Sequence, residues 1–265
     1  RQAGVKRIIS YQGAPMSSLF TGWKLLLRKL DVRARPSRPE HFIFESEAMR
    51  DTAVNGRGIP RADTSVVYLG VDGERFRPIG DGYAHRVFGI PEDRCLVVYS
   101  GHMERRKGVH VLVEAFVELV EARGRTDLHL LVLGNKPGQM ERFLPLYQDT
   151  AADSHITFGG YRDDIAAIFG SADVGAIAST GWDSFTMSSV EMAASGLPLV
   201  VSDLQGLAET VEPGKTGYTF PPGDARRLAD HLERLAADAA LRKRLGSAAR
   251  ERALARYSVD RQVIE

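Results

Sequence analysis

Residues 95–119 read CLVVYSGHMERRKGVHVLVEAFVEL, and this stretch decides the fold class. Its first six residues, Cys95–Ser100, are nearly all apolar or aromatic, as in a strand that is buried on both faces. The next eight residues begin and end with glycine and contain three Lys or Arg residues. Apolar residues then recur at the spacing of an amphipathic helix, at Val109, Leu112, Val113, Phe116 and Leu119. The stretch therefore predicts a strand, a basic turn and a helix.

The same alternation continues to residue 220. Five further β-rich runs are Leu128–Gly134, His155–Phe158, Asp173–Ala178, Leu197–Ser202 and Tyr218–Phe220. Helical patterns lie between them, at Gln139–Thr150, Asp163–Gly170, Ser184–Ser195 and Leu207–Glu212. Strands of this kind that alternate with helices predict an α/β fold, a doubly wound parallel sheet with helices on either side. Because such sheets bind ligands beyond the carboxyl ends of their strands, we expect the site in the loops that follow them.

Residues 1–78 predict part of a second α/β domain. Its predicted elements are a strand at Val5–Tyr11, a helix at Leu19–Leu30 and strands at Phe42–Glu45 and Ser65–Leu69. Residues 79–91, with three glycines and Pro91, predict a linker, and residues 92–265 the main domain. The main domain ends in two polar-rich helices, Ala225–Ala237 and Leu241–Tyr257. Because the chain begins at Arg1, within a predicted strand, we expect it to be a fragment or a processed chain.

Composition argues against some partners. The 265 residues carry a formal net charge of +1, whereas a protein that binds nucleic acid usually shows a clear basic excess. We therefore expect no nucleic-acid partner.

The single cysteine, Cys95, lies in an apolar run and predicts a small buried thiol, which fits a reducing, cytoplasmic compartment. No run of about 18–20 apolar residues predicts a membrane span.

Residues 20–30, FTGWKLLLRKL, have two interpretations. Four apolar side chains share one face of the predicted helix, namely Phe20, Trp23, Leu27 and Leu30. Basic residues lie largely on the other faces. Such a helix can rest on anionic lipid and give the protein a peripheral contact with a membrane. The favoured alternative is a helix that packs against the amino-terminal sheet.

Residues 182–191, WDSFTMSSVE, follow a predicted strand and open a predicted helix. Free N–H groups at a helix start form an anion site that the helix dipole strengthens. Asp183 lies before this start and Glu191 about two turns inside it, so two carboxylates flank a predicted phosphate site and can bind sugar hydroxyls. A structural interpretation is that Asp183 caps the helix and Glu191 is solvated. Against it, Glu191 precedes the apolar run Met192–Ala194, where an unpaired charge is costly to bury.

The basic turn Gly101–Gly108 is the second candidate site. It would place positive charge opposite a diphosphate, and Lys107, beside the second glycine, is the best-placed cation. The alternative is a solvated basic loop.

No G-x-G-x-x-G follows a strand, which argues against a dinucleotide oxidoreductase. Because there is no D-x-D pair and no His/Cys cluster at ligand spacing, we expect no metal site.

Six segments together resemble the family-4 retaining glycosyltransferases of the GT-B fold. They are Gly70-Val71-Asp72 with Phe76 and Pro78, Gly101–Gly108, Asp183–Glu191, Gly196–Val201, Gly206–Glu209, and Gly214–Gly217 with Phe220-Pro221-Pro222 and Asp224. They keep the family's order between about residues 40 and 257. The resemblance implies that the main domain is the Rossmann-like, donor-binding half of a GT-B fold. It also implies that most of the acceptor-binding domain lies outside this sequence.

The resemblance assigns roles to single residues. Lys107 corresponds to the lysine that neutralises the donor diphosphate. Asp183 stands where the first acid contacts the transferred sugar, and Glu191 where the second acid binds the donor ribose. These three are the expected catalytic positions. The other donor-binding positions are Gly101 and His102, Gly134, Tyr161 and Arg162 at the base, Ser184, Phe185, Thr186 and Met187 at the phosphate and sugar, and Gln12.

Several positions depart from the family's pattern. His102 replaces the usual arginine, which makes phosphate binding more sensitive to pH. Asp183 is one methylene shorter than the usual glutamate. Gln12 aligns with a strand end where many members carry an active-site histidine. Residues that replace glycines are Ser184, Thr186 and Gln205.

The leading hypothesis is a metal-independent, retaining glycosyltransferase that moves a sugar from a nucleotide-diphosphate donor to an acceptor hydroxyl. The nucleotide sugar is the donor substrate, and we expect no other cofactor. Since the sequence positions no nucleophile, catalysis is expected to come from placement and from stabilising the departing diphosphate. The alternative is a non-catalytic nucleotide-sugar-binding module that needs a missing domain or a partner. A sugar-nucleotide epimerase is a third, weaker option.

Overall fold

A computed structural model describes residues 7–13, 19–34 and 38–264 of the chain. Within these residues the strands are β1 (Ile9–Gln12), β2 (His41–Phe44), β3 (Thr64–Val66), β4 (Cys95–Ser100), β5 (Leu128–Leu133), β6 (Ile156–Gly160), β7 (Val174–Ile177), β8 (Leu199–Ser202) and β9 (Gly217–Phe220). The helices are α1 (Gly22–Ala34), α2 (Glu47–Arg57), α3 (Tyr83–Phe88), α4 (Val109–Val117), α5 (Leu144–Tyr147), α6 (Ile165–Gly170), α7 (Met187–Ala194), α8 (Gln205–Ala208), α9 (Ala225–Ala237), α10 (Ala239–Arg256) and α11 (Val259–Ile264).

The main sheet has six strands in the order β6-β5-β4-β7-β8-β9, and every neighbouring pair is parallel. The chain moves outward from β4 through β5 to β6, then returns to place β7 on the other side of β4. The predicted doubly wound parallel sheet is therefore confirmed. A reversal of strand order leaves a crevice at the carboxyl ends of the two central strands. In this protein that crevice lies between the loops that follow β4 and β7.

Two apolar layers cover the sheet, one on each face. Alternate residues of β4 point into different layers, with Val97 and Tyr99 in one and Leu96 and Val98 in the other. Burial on both faces explains why the strands read as continuous apolar runs. Cys95 is a buried free thiol, as its position in such a run predicts.

Among the helices that differ from their predicted bounds, two do so for reasons that the structure shows. The helix expected over Ser184–Ser195 begins at Met187, because tertiary contacts hold residues 183–186 in a loop. The helix expected over Gln139–Thr150 is reduced to the single turn α5, followed by a 3-10 segment at Ala151–His155. Between them Asp149 has a φ of 65°, a left-handed conformation that interrupts a helix.

The first part of the chain forms a second parallel sheet, β1-β2-β3. The beginning of the strand predicted at Val5–Tyr11 lies outside the described residues. Helix α1 contacts α2, and Phe20 donates its N–H to the carbonyl of Gly56 at 2.7 Å. However, more than half of the surface of Trp23, Leu27 and Leu30 is exposed, so the described residues do not provide the packing expected for this face. No helix in the described part of the chain combines the length and apolarity that crossing a bilayer requires.

Residues 79–91, expected to be a linker, contain α3. This helix folds onto the main domain because Ala84 is fully buried and its N–H donates to the Ser171 hydroxyl at 3.0 Å. The chain end also returns to the first part: the N–H of Val71 donates to the carbonyl of Tyr257 at 2.6 Å, and the N–H of Gly70 to the Gln262 side chain at 2.8 Å. The divisions at residues 78 and 91 stay predictions.

Glu209 joins the two sheets. Its carboxylate accepts the N–H groups of Glu47 and Ala48, at 3.1 and 2.7 Å, at the start of α2. It also accepts the hydroxyl of Tyr68 at 2.9 Å. A carboxylate at a helix start satisfies amides that the helix itself leaves unpaired. A side chain of the main domain therefore caps a helix of the first part and links the two parts of the chain.

Candidate functional site

The loops after β4 and β7 lie against each other at the crevice. Gly108 has a φ of 70°, and a Cβ on it would lie 1.6 Å from the carbonyl oxygen of Ala178. Only glycine fits this approach. The N–H of Thr180 donates to the carbonyl of Arg106 at 2.7 Å, and the Arg106 guanidinium lies 4.2 Å from the centre of the Trp182 ring. The two loops therefore form one surface.

An ion pair lies at the centre of this surface. The Nζ of Lys107 is 2.9 Å from Oδ2 of Asp183, and only 16% and 5% of the two side chains are exposed. The hydroxyl of Ser179 donates to the same oxygen at 2.8 Å. A buried charge requires a partner and further hydrogen bonds, and Asp183 has both. The structure thus brings together two predicted site residues that are 76 positions apart.

The loop between Asp183 and α7 is held from several sides. The N–H of Asp183 donates to Oε1 of Gln205 at 3.0 Å. Gln205 has a φ of 43°, in the left-handed region that a glycine would occupy without strain. Its side chain holds the loop through this hydrogen bond. A Cβ on Gly206 would lie 1.5 Å from the carbonyl oxygen of Ser184, so this approach also requires glycine.

The start of α7 carries no side-chain cap. Thr186 precedes the helix without capping it, and its buried Oγ1 has no hydrogen-bond partner among the described residues. Ser184 and Phe185 are buried, and Met187 is half-buried. Amides at an uncapped helix start remain available to an anion. An uncapped helix start therefore follows the Lys107–Asp183 pair in the chain.

Glu191 lies in the second turn of α7 and is partly buried. Burial raises the pKa of its carboxyl group, and the charge of Arg75 opposes this shift. No described residue donates a hydrogen bond to this carboxylate. Its environment therefore differs from that of Asp183, whose charge is paired within the protein.

The loops after β4 and β5 meet beside this surface. Gly134 packs against the backbone of Gly101, and the carbonyl of His102 accepts the hydroxyl of Tyr99 at 2.9 Å. The His102 side chain is exposed, with Nδ1 3.6 Å from a carboxylate oxygen of Glu104. A cavity of about 260 Å³ opens here, lined by His102, Met103, Glu104, Gly134, Lys136, Gln139 and Arg142.

Tyr161 and Arg162, expected at the base, lie in the loop after β6. The Tyr161 side chain is largely exposed. Arg162 donates two hydrogen bonds to Asp164, at 2.8 and 2.6 Å, and this contact lowers the pKa of Asp164 to about 2. The guanidinium also lies over the ring of Phe88 at 5.4 Å. Arg162 is thus engaged within its own loop, whereas Tyr161 is available for stacking.

Gln12 and a residue that sequence analysis missed lie at the carboxyl ends of β1 and β2. The side-chain amide of Gln12 donates to the hydroxyl of Ser10 at 2.6 Å, within its own strand. The missed residue is Glu45, which directly follows β2 and accepts the hydroxyl of Ser184 at 3.3 Å. Its position at a strand's carboxyl end was the available signal, because the same rule selected the loops of the main sheet.

Comparison with known proteins shows what the chain resembles. The family model described as "Glycosyl transferases group 1" matches residues 83–252. A D-inositol 3-phosphate glycosyltransferase of Corynebacterium urealyticum is 30% identical, over 82% of this chain and 53% of that protein. An N-acetyl-alpha-D-glucosaminyl L-malate synthase of Bacillus anthracis is 26% identical, over 72% of this chain and 49% of that protein. The chain thus spans about half the length of these relatives.

Solved structures support the same fold. A glycosyltransferase from Rickettsia africae superposes with a TM-score of 0.83 at 19% identity, over 97% of this chain and 68% of that one. Anabaena Alr3699/HepE in complex with UDP also gives a TM-score of 0.83, at 20% identity, over 97% of this chain and 70% of that one. At 19% and 20% sequence identity, the similarity of these two structures to this chain shows the fold alone.

The buried ion pair leads to a stability prediction. Lys107→Met removes one partner and leaves the Asp183 carboxylate buried without its cation, so we expect the free energy of unfolding to fall by about 3 kcal/mol. Adding Asp183→Asn removes the remaining charge, and the double variant should recover part of that loss. Urea unfolding of the two single variants, the double variant and the wild type measures the coupling. Additive losses would contradict a paired contact.

Proposed function

The chain belongs to the group 1 glycosyl transferases, and from this premise we propose that it is the donor-binding part of a metal-independent, retaining glycosyltransferase of family 4. The reaction would move a sugar from a nucleotide-diphosphate donor to an acceptor hydroxyl. One observation carries the proposal: a buried Lys107–Asp183 pair lies beside an uncapped helix start at the crevice of the sheet. Structures of similar fold are in complex with UDP or UDP-glucose, which supports a nucleotide-sugar ligand.

The charges at the crevice suit a diphosphate that departs during the reaction. Negative charge builds up on the leaving diphosphate as the bond to the sugar breaks. Lys107, which Asp183 holds in place, and the amides at the start of α7 are positioned before the donor binds. Fixed donors and cations of this kind stabilise developing charge without having to reorganise. In this proposal Lys107 binds the diphosphate while the Asp183 carboxylate accepts hydroxyls of the sugar.

Glu191 completes the donor site in this proposal. Its carboxylate has no hydrogen-bond donor among the described residues, although it is partly buried. Ribose hydroxyls would supply the missing hydrogen bonds, and charge-assisted bonds of this kind are stronger than neutral ones. The contrast with Asp183 supports different roles for the two acids, one paired in the free protein and one left for the ligand.

The alternative proposal is a non-catalytic nucleotide-sugar-binding module. One observation favours it: the Gln12 side-chain amide, at the position where many family members carry an active-site histidine, donates to Ser10 in its own strand. Incubation with radiolabelled nucleotide sugars separates the two, because a module binds the donor without releasing or transferring the sugar.

A panel of nucleotides tests the proposal directly. We expect one of UDP, GDP and ADP to raise the melting temperature, because a ligand at 100 times its Kd stabilises by about 2.7 kcal/mol. Lys107→Ala should weaken binding of that nucleotide by about 1.5–3 kcal/mol, the range for hydrogen bonds to charged groups. Lys215→Ala, at an exposed lysine paired with Glu212, is the control. A panel in which no nucleotide stabilises the protein would refute donor binding.

Glu191→Gln should weaken donor binding and leave the free protein's stability nearly unchanged. The amide keeps the shape of the side chain and removes the charge that ribose hydroxyls require. Stability should not fall, because burial raises the pKa of this carboxyl group and the charged form gains no hydrogen bond from the described residues. Isothermal titration and a melt without ligand measure the two effects. Unchanged affinity together with a lower melting temperature would instead assign Glu191 to the fold.

The exposed face of α1 supports a second contact, which we propose is with an anionic membrane surface through residues 20–30. Trp23, Leu26, Leu27 and Leu30 are each more than half exposed, and Lys24 and Lys29 are also exposed. Apolar residues that enter a lipid interface next to basic side chains give peripheral binding.

Vesicle sedimentation tests this membrane contact. The double variant Trp23→Ser, Leu27→Ser should reduce the fraction bound to phosphatidylglycerol vesicles about tenfold or more, because each large apolar side chain is worth about 1.5–3 kcal/mol on burial. Val263→Ser, at an exposed apolar residue of α11, is the matched control. Equal binding by the wild type and the double variant would remove residues 20–30 from any membrane contact.

A further inference from the structure

Glu45 lies where the first part of the chain contacts the loop before α7. It directly follows β2, at the carboxyl end of the small sheet, and only 8% of the residue is exposed. On the other side it meets the loop between Asp183 and α7, where Ser184 donates its hydroxyl to Oε2 at 3.3 Å. A carboxylate from the first part of the chain therefore reaches the residue next to Asp183.

The described partners of Glu45 are neutral. Tyr11, in β1, donates its hydroxyl to Oε1 at 2.8 Å, and Ser184 donates to Oε2. No Lys or Arg among the described residues forms an ion pair with this carboxylate. Partial burial and the hydrogen bond to Glu45 both raise the pKa of the Tyr11 hydroxyl, which is a hydrogen-bond donor at neutral pH. Asp183, one residue from Ser184, is by contrast neutralised by Lys107.

The described residues give this buried carboxylate two hydroxyl donors, which satisfy it only in part. An ionised carboxyl group offers about four acceptor positions on its two oxygens, and Tyr11 and Ser184 use one each. Hydrogen bonds to charged acceptors are worth more than neutral ones, so the unused positions favour a ligand that donates hydroxyls. The bond to Ser184, at 3.3 Å, is the longer of the two and the easier one for a ligand hydroxyl to replace.

We infer that Glu45 is a further binding residue of the donor site, and that its carboxylate accepts hydrogen bonds from hydroxyls of the transferred sugar. The inference rests on the proposed function. Glu45 contacts Ser184, which directly follows Asp183, the acid proposed to bind the same sugar. Glu45 thus supplies a further carboxylate from the first part of the chain. Asp183, which is one methylene shorter than a glutamate, supplies the other. The first part of the chain takes part in recognising the sugar.

The negative charge of Glu45 should affect the sugar and the diphosphate of the donor differently. A carboxylate attracts hydroxyl donors and repels phosphate, so Glu45 should favour the nucleotide sugar and not the free nucleoside diphosphate. A purely structural role for Glu45 would affect both ligands equally. The ratio of the two dissociation constants therefore reports the inferred contact, while the melting temperature reports the fold.

The experiment compares Glu45→Gln with the wild type by isothermal titration. The probes are whichever of UDP, GDP and ADP stabilises the wild type most, and the glucose or mannose conjugate of that nucleotide that binds more tightly. We expect the Kd of the conjugate to rise about tenfold or more, the fold-change expected for losing a hydrogen bond to a charged group. The Kd of the free nucleotide should stay within about twofold.

A second variant moves the carboxylate without removing it. A Cβ on Gly13 would lie 2.7 Å from Oε1 of Glu45, and this atom is the far end of a flexible side chain. Gly13→Ala should therefore displace the carboxylate at little cost to the fold and reproduce the selective loss of the conjugate. Glu47→Gln is the matched control, because Glu47 lies two residues away and pairs with Arg50 on α2.

The outcomes are distinct. A selective loss of conjugate binding in Glu45→Gln and Gly13→Ala, with Glu47→Gln unchanged, supports the inference. Equal losses for the conjugate and the free nucleotide, or unchanged binding of both, would overturn it. If no nucleotide binds the wild type, the proposed function itself fails, and the inference fails with it.

Discussion

The Lys107–Asp183 ion pair is the interaction on which the site depends. The strand order reverses beside β4, so β4 and β7 are neighbours and the loops that follow them meet at the crevice. The ion pair crosses that crevice between residues 76 positions apart. Burying either charge without its partner would be costly in free energy. Each side chain therefore holds the other in place. Gly108 and Gly206 allow the backbones to approach closely enough for the pair to form and for residues 183–186 to remain a loop. The helix start that follows is thereby left uncapped beside a cation.

The sequence was sufficient to predict the fold class, because strands buried on both faces carry continuous apolar runs that alternate with helical spacing. Lys107 and Asp183 were predicted as separate candidates from local motifs. Their direct contact was not predictable, since it depends on which strands become neighbours. The late start of α7 was missed for a similar reason: contacts from Gln205 and Gly206, about twenty residues away in sequence, override local helix propensity.

Two side chains show what local motifs leave open about the site. Arg162 is predicted at the base, and the structure adds that the carboxylate of Asp164, two residues later, accepts two hydrogen bonds from its guanidinium. Glu45 matched no motif, and its contact with Ser184 joins residues that are 139 positions apart in sequence. Local sequence thus indicates the residue types that a site needs. Only the packing of the two sheets determines which of these groups are already paired and which remain available to a ligand.

The return of the chain end to the first part has a consequence for how such proteins can be recombined. Gly70 and Val71 bond to Gln262 and Tyr257, so the last helix belongs in space with residues that precede the main sheet. A chimera that exchanged everything after residue 91 would bring a foreign α11 against a native Gly70. A cut that keeps the last residues with their original first part would preserve this junction. The unit of exchange is therefore discontinuous in sequence, although the main sheet is built from one continuous stretch.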